Sequence, residues 1–171
     1  MDDALPTADV AYLIGAVIVR RGQSVLLVHQ AIESGEVGWS LPGGVIEENE
    51  DVRDGAIREV LEETGVSLAG QVMRLAYVVS YSRFEQNDQT KAFVFEVETA
   101  EDVSMDNVDC DILSAEFAPM ELALERLRTF PLKVMVQPAI AFLTGEAPYG
   151  TFWSYEEDDR GVQIPSHTFV M

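Results

Sequence analysis

The stretch GGVIEENEDVRDGAIREVLEETGV, Gly43 to Val66, constrains the fold more than any other part of the chain. A glycine-rich turn runs into a segment of helical periodicity closed by Gly65, so a helix is expected from about Asn49 to Thr64. Spaced about 100° apart around the axis, Glu62 and Glu63 fall at about −60° and about +40° from Glu59, so the three carboxylates share one face. Val52, Ala56, Ile57, Val60, Leu61 and Thr64 form the buried stripe, and the acids lie at its edge, where a cleft would be lined. Like charges at these spacings cost roughly 0.2–0.5 kcal/mol per pair on an exposed helix, and more where water is excluded. Arg58 is placed to pair with Glu62 and with Asp54, which relieves part of the repulsion; a divalent cation would relieve the rest. Mg2+ takes carboxylate and water oxygens and shares its shell with substrate phosphates. On the helix alone, a solvated acidic face is the more ordinary reading. Glu47, Glu48 and Asp51 are of that kind, favoured by the helix dipole, with Asn49 as the expected N-cap.

The rest of the composition narrows the chemistry. With 11 Lys plus Arg against 30 Asp plus Glu, the net charge is −19, which argues against binding a nucleic-acid polymer through a basic stripe. One cysteine, Cys110, rules out an internal disulfide, and two histidines leave little for a histidine-rich metal site, so any metal is expected to bind through oxygen. No stretch reaches the roughly 18–20 apolar residues of a membrane span. Asp2 and Asp3 stand before the apolar run Ala11 to Val19, where a signal peptide would carry positive charge, so a cytoplasmic location is expected.

At 171 residues the chain is expected to hold one principal domain. Residues 1–9 read as a loose arm, 10–144 as the domain, and 145–171 as an extension of no clear period that covers a neighbouring surface or hangs free. Ala11–Arg20 and Ser24–Gln30 read as strands, Ser34–Gly44 as loop, Val72–Phe84 and Lys91–Val97 as strands joined by a hairpin loop at Glu85–Thr90. A charged loop, Glu98–Asp111, precedes a short strand at Ser114–Ala118, then helices at Met120–Arg128 and Leu132–Leu143. The order of elements predicts an α/β fold, a mixed sheet with helices on its faces.

The acidic segment resembles the signature of the Nudix hydrolases: glycine, five residues, Glu, seven residues, then Arg-Glu-apolar-x-Glu-Glu-x-Gly-apolar. Gly44, Glu50, Arg58, Glu59, Val60, Glu62, Glu63, Gly65 and Val66 fill every defined position, and GWSLPGG, Gly38 to Gly44, is similar to the loop that leads into it. Asn49 departs from the glycine of many members, and asparagine tolerates a left-handed backbone. The resemblance implies a Nudix-type α/β/α sandwich around a mixed sheet from about Val10 to Leu143. It implies that Glu59, Glu62 and Glu63 hold Mg2+ or Mn2+, joined by the backbone carbonyl of Gly43, with Arg58 orienting Glu59. Glu50 is implied as an auxiliary ligand or a loop-stabilising acid. A later-loop acid often completes the family's set; Asp111 is the first choice here, then Asp109, with Glu98 behind them.

The implied reaction is hydrolysis of the pyrophosphate linkage of a nucleoside diphosphate joined to another moiety, by water attacking phosphorus with the metal carrying the electrostatics. Candidate substrates are small nucleotides: a dinucleoside polyphosphate, ADP-ribose or a nucleotide sugar, or a modified nucleoside triphosphate. Signatures of the NADH and coenzyme A subfamilies are absent. Tyr81 stands where dinucleoside-polyphosphate hydrolases of the family tend to carry tyrosine, and no proline stands where ADP-ribose hydrolases tend to have one. Trp39, Tyr81 and Arg83 are the substrate-binding candidates, with Tyr77 and Phe84 beside them; each also reads as plain strand or loop packing. The alternative is a Nudix-fold module that senses a nucleotide without turnover. A calcium-binding loop at Asp106, Asp109 and Asp111 lacks the glycine and closing glutamate of an EF-hand. Family members often dimerise, and the aromatic stretch Tyr149–Tyr155 is suited to packing between subunits of a homodimer.

Overall fold

A computed structural model describes residues 10–32, 35–83, 88–157, 161 and 163–171. The expected arm at 1–9 and Phe84 lie outside the described residues. The strands are β1 (Val10–Arg21), β2 (Ser24–Ala31), β3 (Val37–Ser40), β4 (Gly43–Val45), β5 (Arg74–Arg83), β6 (Asp88–Glu98), β7 (Ile112–Pro119), β8 (Thr151–Glu157) and β9 (Gln163–Val170). The helices are α1 (Val52–Thr64), α2 (Met120–Thr129) and α3 (Lys133–Leu143).

Among the described residues the strands form one mixed sheet, ordered β3-β2-β1-β6-β5-β8-β9, with β4 pairing β1 and β7 pairing β2. Alternate side chains of β1 enter opposite cores. Ile18 joins Val25, Leu27, Tyr77, Val79 and Tyr155 under α2 and α3, whereas Val17 and Val19 join Leu26 and Val97 under Ala56 and Val60 of α1. The result is an α/β/α sandwich. It also explains why β1 and β2 read as continuous apolar runs, since strands covered on both faces have no polar side to show.

β1 changes partner along its length, and this places the acidic helix. Its C-terminal end pairs with β2 at Arg20 and Arg21, while Ile14, Gly15 and Ala16 pair with β4. The glycines before α1 are thereby pinned to the sheet, and the expected loop at Ser34–Gly44 in fact contains β3 and β4. Short strands rich in glycine carry turn chemistry in sequence; only their pairing partners make them strands.

Three further expectations are corrected. The helix begins at Val52, not near Asn49: Asp51 is the N-cap, in extended conformation, its carboxylate accepting the Arg53 N–H at 2.9 Å. Asn49 has φ 64° and serves the preceding turn, a conformation an N-cap does not use. β6 begins at Asp88, inside the stretch read as a hairpin loop. The C-terminal stretch does pack on the domain, but as regular structure and not as irregular cover or a free tail: β8 runs parallel to β5 and β9 closes antiparallel on β8. Tyr155 is fully buried under α3, where its hydroxyl donates to Gln137 Oε1 at 3.1 Å.

Candidate active site

The site forms where α1 crosses the β1–β4 junction. Gly44 lets the two approach: a Cβ there would lie 2.5 Å from the Glu59 carboxylate carbon. One turn further on, Glu63 is only 6% exposed, and its carboxylate accepts the Gly43 N–H at 2.9 Å. Glu62 stays half in water, its side chain 42% exposed against 13% for Glu59.

Arg58 ties the set together. Its Nε and Nη2 donate to the two oxygens of Glu50 at 2.9 and 3.0 Å, Nη1 to Glu59 at 2.9 Å and to Glu62 at 2.7 Å, and Nη2 to the Val45 carbonyl at 3.1 Å. The expected Asp54 pair is replaced by Glu50, which reaches Arg58 through the turn and not along the helix. The Glu50 hydrogen bonds hold the guanidinium above its ordinary pKa. In return Arg58, with the Glu47 N–H at 3.1 Å, holds Glu50 below the usual carboxylate range. Both Glu50 oxygens are engaged, which is the geometry of a loop-stabilising acid.

The other carboxyls move the opposite way. Burial raises Glu59 against the pull of Arg58, and Glu62 and Asp109 add to the rise. Burial pushes Glu63 up to about 8, against the Gly43 N–H, with Glu59, Asp109 and Glu62 adding repulsion. A deep carboxyl facing like charges either keeps its proton or meets a cation. Gly43, Glu59, Glu62 and Glu63 supply hard oxygens from one helix edge and one strand, a donor set that fits Mg2+ or Mn2+. Among the described residues no three acid, imidazole or thiol groups already close on a common point, since Arg58 draws Glu59 and Glu62 to its own side.

Of the two later-loop candidates, only Asp109 docks on α1. Asp109 is the one that acts on Glu59 and Glu63, and its N–H donates to the Glu62 carbonyl at 3.1 Å. Asp111 is instead engaged beside β2: its carbonyl accepts from Ala31 at 3.3 Å, and its carboxylate faces the exposed Cys110 thiol. Glu98 ends β6 level with Arg20, away from the cluster. Both residues stand just before the strand in sequence, and nothing in the sequence signals which of them the loop contacts bring to α1.

The three substrate-binding candidates are committed to neighbours within the chain. Trp39 lies in β3, stacked on His29 at 4.8 Å with the Arg126 guanidinium 4.0 Å from its ring centre. Tyr81 packs on the α2/α3 side of the sheet, opposite α1, and its hydroxyl donates to Glu157. Arg83 forks onto Asp88, with Nε at 2.9 Å from Oδ1, and Tyr77 is buried in the core.

The three-layer sandwich carries a glycine-floored acidic helix at a strand junction, and comparison gives this architecture a family. The sequence pattern of the NUDIX domain family matches residues 12–137, and the chain belongs to that family. Nudix hydrolase 6 of Arabidopsis thaliana is 33% identical over 111 residues, covering 63% of this chain and 38% of that protein. The chain spans between 24% and 43% of the length of three curated relatives it matches. In fold it is similar to the MutT protein of Bacillus halodurans, with TM-score 0.67 and 18% identity over 90% of this chain and 94% of that one. It is similar also to the NUDIX domain of Shewanella oneidensis NrtR complexed with ADP ribose, with TM-score 0.64 and 16% identity over 80% and 88% of the two chains. Among the described residues no helix is long and apolar enough to cross a membrane.

Proposed function

We propose that residues 10–144 carry a metal-dependent hydrolase that cleaves the pyrophosphate linkage of a nucleoside diphosphate joined to another moiety, with 145–171 completing its sheet. The observation that carries this reading is Glu63: a carboxyl only 6% exposed, held by one N–H and sharing a helix edge with Glu59 and Glu62, is arranged for a cation. Glu59, Glu62, Glu63, Asp109 and the Gly43 carbonyl would hold Mg2+ or Mn2+. Bound there, the ion supplies neutralisation of phosphate oxygens and a more acidic water.

The chain's own residues do the rest. Arg58 hydrogen-bonds Glu59 and Glu62 and so limits their rotamers, and Glu50 holds Arg58 from behind. A water oxygen attacks one phosphorus, its proton passes to a glutamate of the set, and the bond to the bridging oxygen breaks, leaving a nucleotide and a phosphorylated partner. The requirement for a cation also reconciles a polyphosphate substrate with a chain of net charge −19. A cytoplasmic location and a homodimer are part of this reading. The stretch Tyr149–Tyr155, expected to pack between subunits, is instead engaged within the chain at Tyr149 and Tyr155. The support for a dimer is the exposure of Phe169 and Val170 on the edge strand β9.

The test is a panel of dinucleoside polyphosphates, ADP-ribose, nucleotide sugars and normal or oxidised nucleoside triphosphates, incubated with Mg2+ and the protein or its Glu62→Gln variant. Turnover of one compound, lost in the folded variant, supports the hydrolase. Binding without turnover across the panel would identify a sensing module instead. Light scattering at monomer mass would remove the dimer.

A further inference from the structure

The last carbonyls of a helix need donors, and those of α1 receive them from an unexpected place. Gly65 caps Leu61 in the ordinary way, its N–H 2.9 Å from the carbonyl. The Thr64 carbonyl, however, accepts from Ser104 at 3.0 Å and the Glu62 carbonyl from Asp109 at 3.1 Å. Both donors lie in the segment 99–111, which reaches α1 across Gly65. A Cβ on Gly65 would run into the Ser104 carbonyl and stand 2.9 Å from its Cβ. Val103 packs on the core beneath α1, so the segment is anchored on the sheet side as well.

Apart from the Arg21–Asp102 pair, charge opposes this docking. Residues 99–111 contain five acids and no base, and they lie against the negative pole of a helix whose last turn already carries Glu62 and Glu63. The two backbone hydrogen bonds and the missing side chain of Gly65 hold it on α1, with Val103 and the Arg21–Asp102 pair anchoring its other side.

We propose that residues 99–111 are a latch on the C-terminus of α1 that sets the position of Asp109, with Gly65 and Ser104 as its positioning residues. This rests on the role given to Asp109 above. The latch makes the acid set a composite of helix and loop, and cation binding and loop docking then reinforce each other, because the ion relieves the repulsion that docking creates.

Gly70 provides the control. Its φ of 74° matches the 70° of Gly65, but a Cβ there meets open space, so Gly70→Ala carries the backbone penalty without the collision. Amide exchange by NMR reads the latch directly and needs no substrate. In Gly65→Ala the Ser104 and Asp109 amides should exchange about tenfold faster or more. Mn2+ affinity, measured by water relaxation, should fall about tenfold. Gly70→Ala should change none of these. Ser104→Pro, which deletes one donor without touching α1, should reproduce the effect if Gly65→Ala does not fold. In an Asp109→Asn background the Gly65→Ala loss of Mn2+ affinity should nearly vanish, because both changes remove the same acid.

Amides that stay protected in Gly65→Ala, or losses that multiply in the double variant, would overturn the latch. Asp109→Asn with intact protection and undiminished Mn2+ binding would refute the role of Asp109 itself and leave the latch with nothing to position. Silence across the substrate panel bears on the hydrolase alone, since exchange and Mn2+ binding are read without turnover.

Discussion

A carboxyl buried as deeply as that of Glu63 is stabilising only while it keeps its proton or has a cation beside it. Its folded pKa, pushed up to about 8, lies above its unfolded value near 4.5, so its contribution is fully present below about pH 4.5 and is lost as pH rises through about 8. The metal-free protein, kept in EDTA, should therefore lose melting temperature between pH 5 and 8. Glu63→Gln should flatten that slope, and added Mg2+ should offset it in the wild type. An equally steep slope in the variant would assign it to other groups. Arg58 makes a second prediction at this scale. Its fork holds Glu50 through two nitrogens while reaching Glu59 and Glu62, and lysine has one point charge where this geometry needs a plane. Arg58→Lys should lower kcat about 10- to 100-fold with little change in folding, and retention of full kcat would show that orientation is not its task. Neither the Glu50–Arg58 fork nor the depth of Glu63 is legible in the spacing of the acids, because both arise from the turn folding back onto the helix.

At the scale of elements, α1 could be read from its sequence to within a few residues, because its stop signal, Gly65, acts locally. Its start was misread, since Asn49 and Asp51 are equally good caps until φ is known, and 64° at Asn49 decides between them. β8 has no clear strand period in its sequence. Its sequence, TFWSYEE, becomes a strand because β5 offers a parallel partner and α3 covers Tyr155. The strand is part of the core, and a simple experiment shows it: Tyr155→Ala should cost about 3–5 kcal/mol in urea unfolding, in line with other large-to-small core changes. Phe169→Ala, at a half-exposed position on the neighbouring strand, should cost less than about 1 kcal/mol. Equal costs would mean that β8 does not anchor the fold.

For the whole molecule, −19 charges on 171 residues make self-repulsion a general load on the folded state. Salt shortens the reach of that repulsion to about 10 Å at 0.1 M and about 3 Å at 1 M. Raising NaCl from about 20 mM to about 0.5 M should therefore raise the melting temperature of the metal-free protein, by about 2–4 °C for each kcal/mol relieved. A fall would show that the seven ion pairs seen among the described residues outweigh the excess of acids.

What the chain determined by itself was whatever depends on near neighbours in sequence. The helix and its stop, the apolar runs of β1 and β2, the acids gathered on one edge and the family pattern all repeat or terminate within a few residues. Tertiary structure decided the rest: that two glycine-rich fragments are strands, that the C-terminal stretch extends the sheet, that Arg58 answers to Glu50, and that the backbone of Asp109 docks on α1 while that of Asp111 pairs beside β2. Each of these depends on a contact between segments distant in sequence, and a side chain's burial, partner and pKa are properties of that contact, which no local pattern encodes.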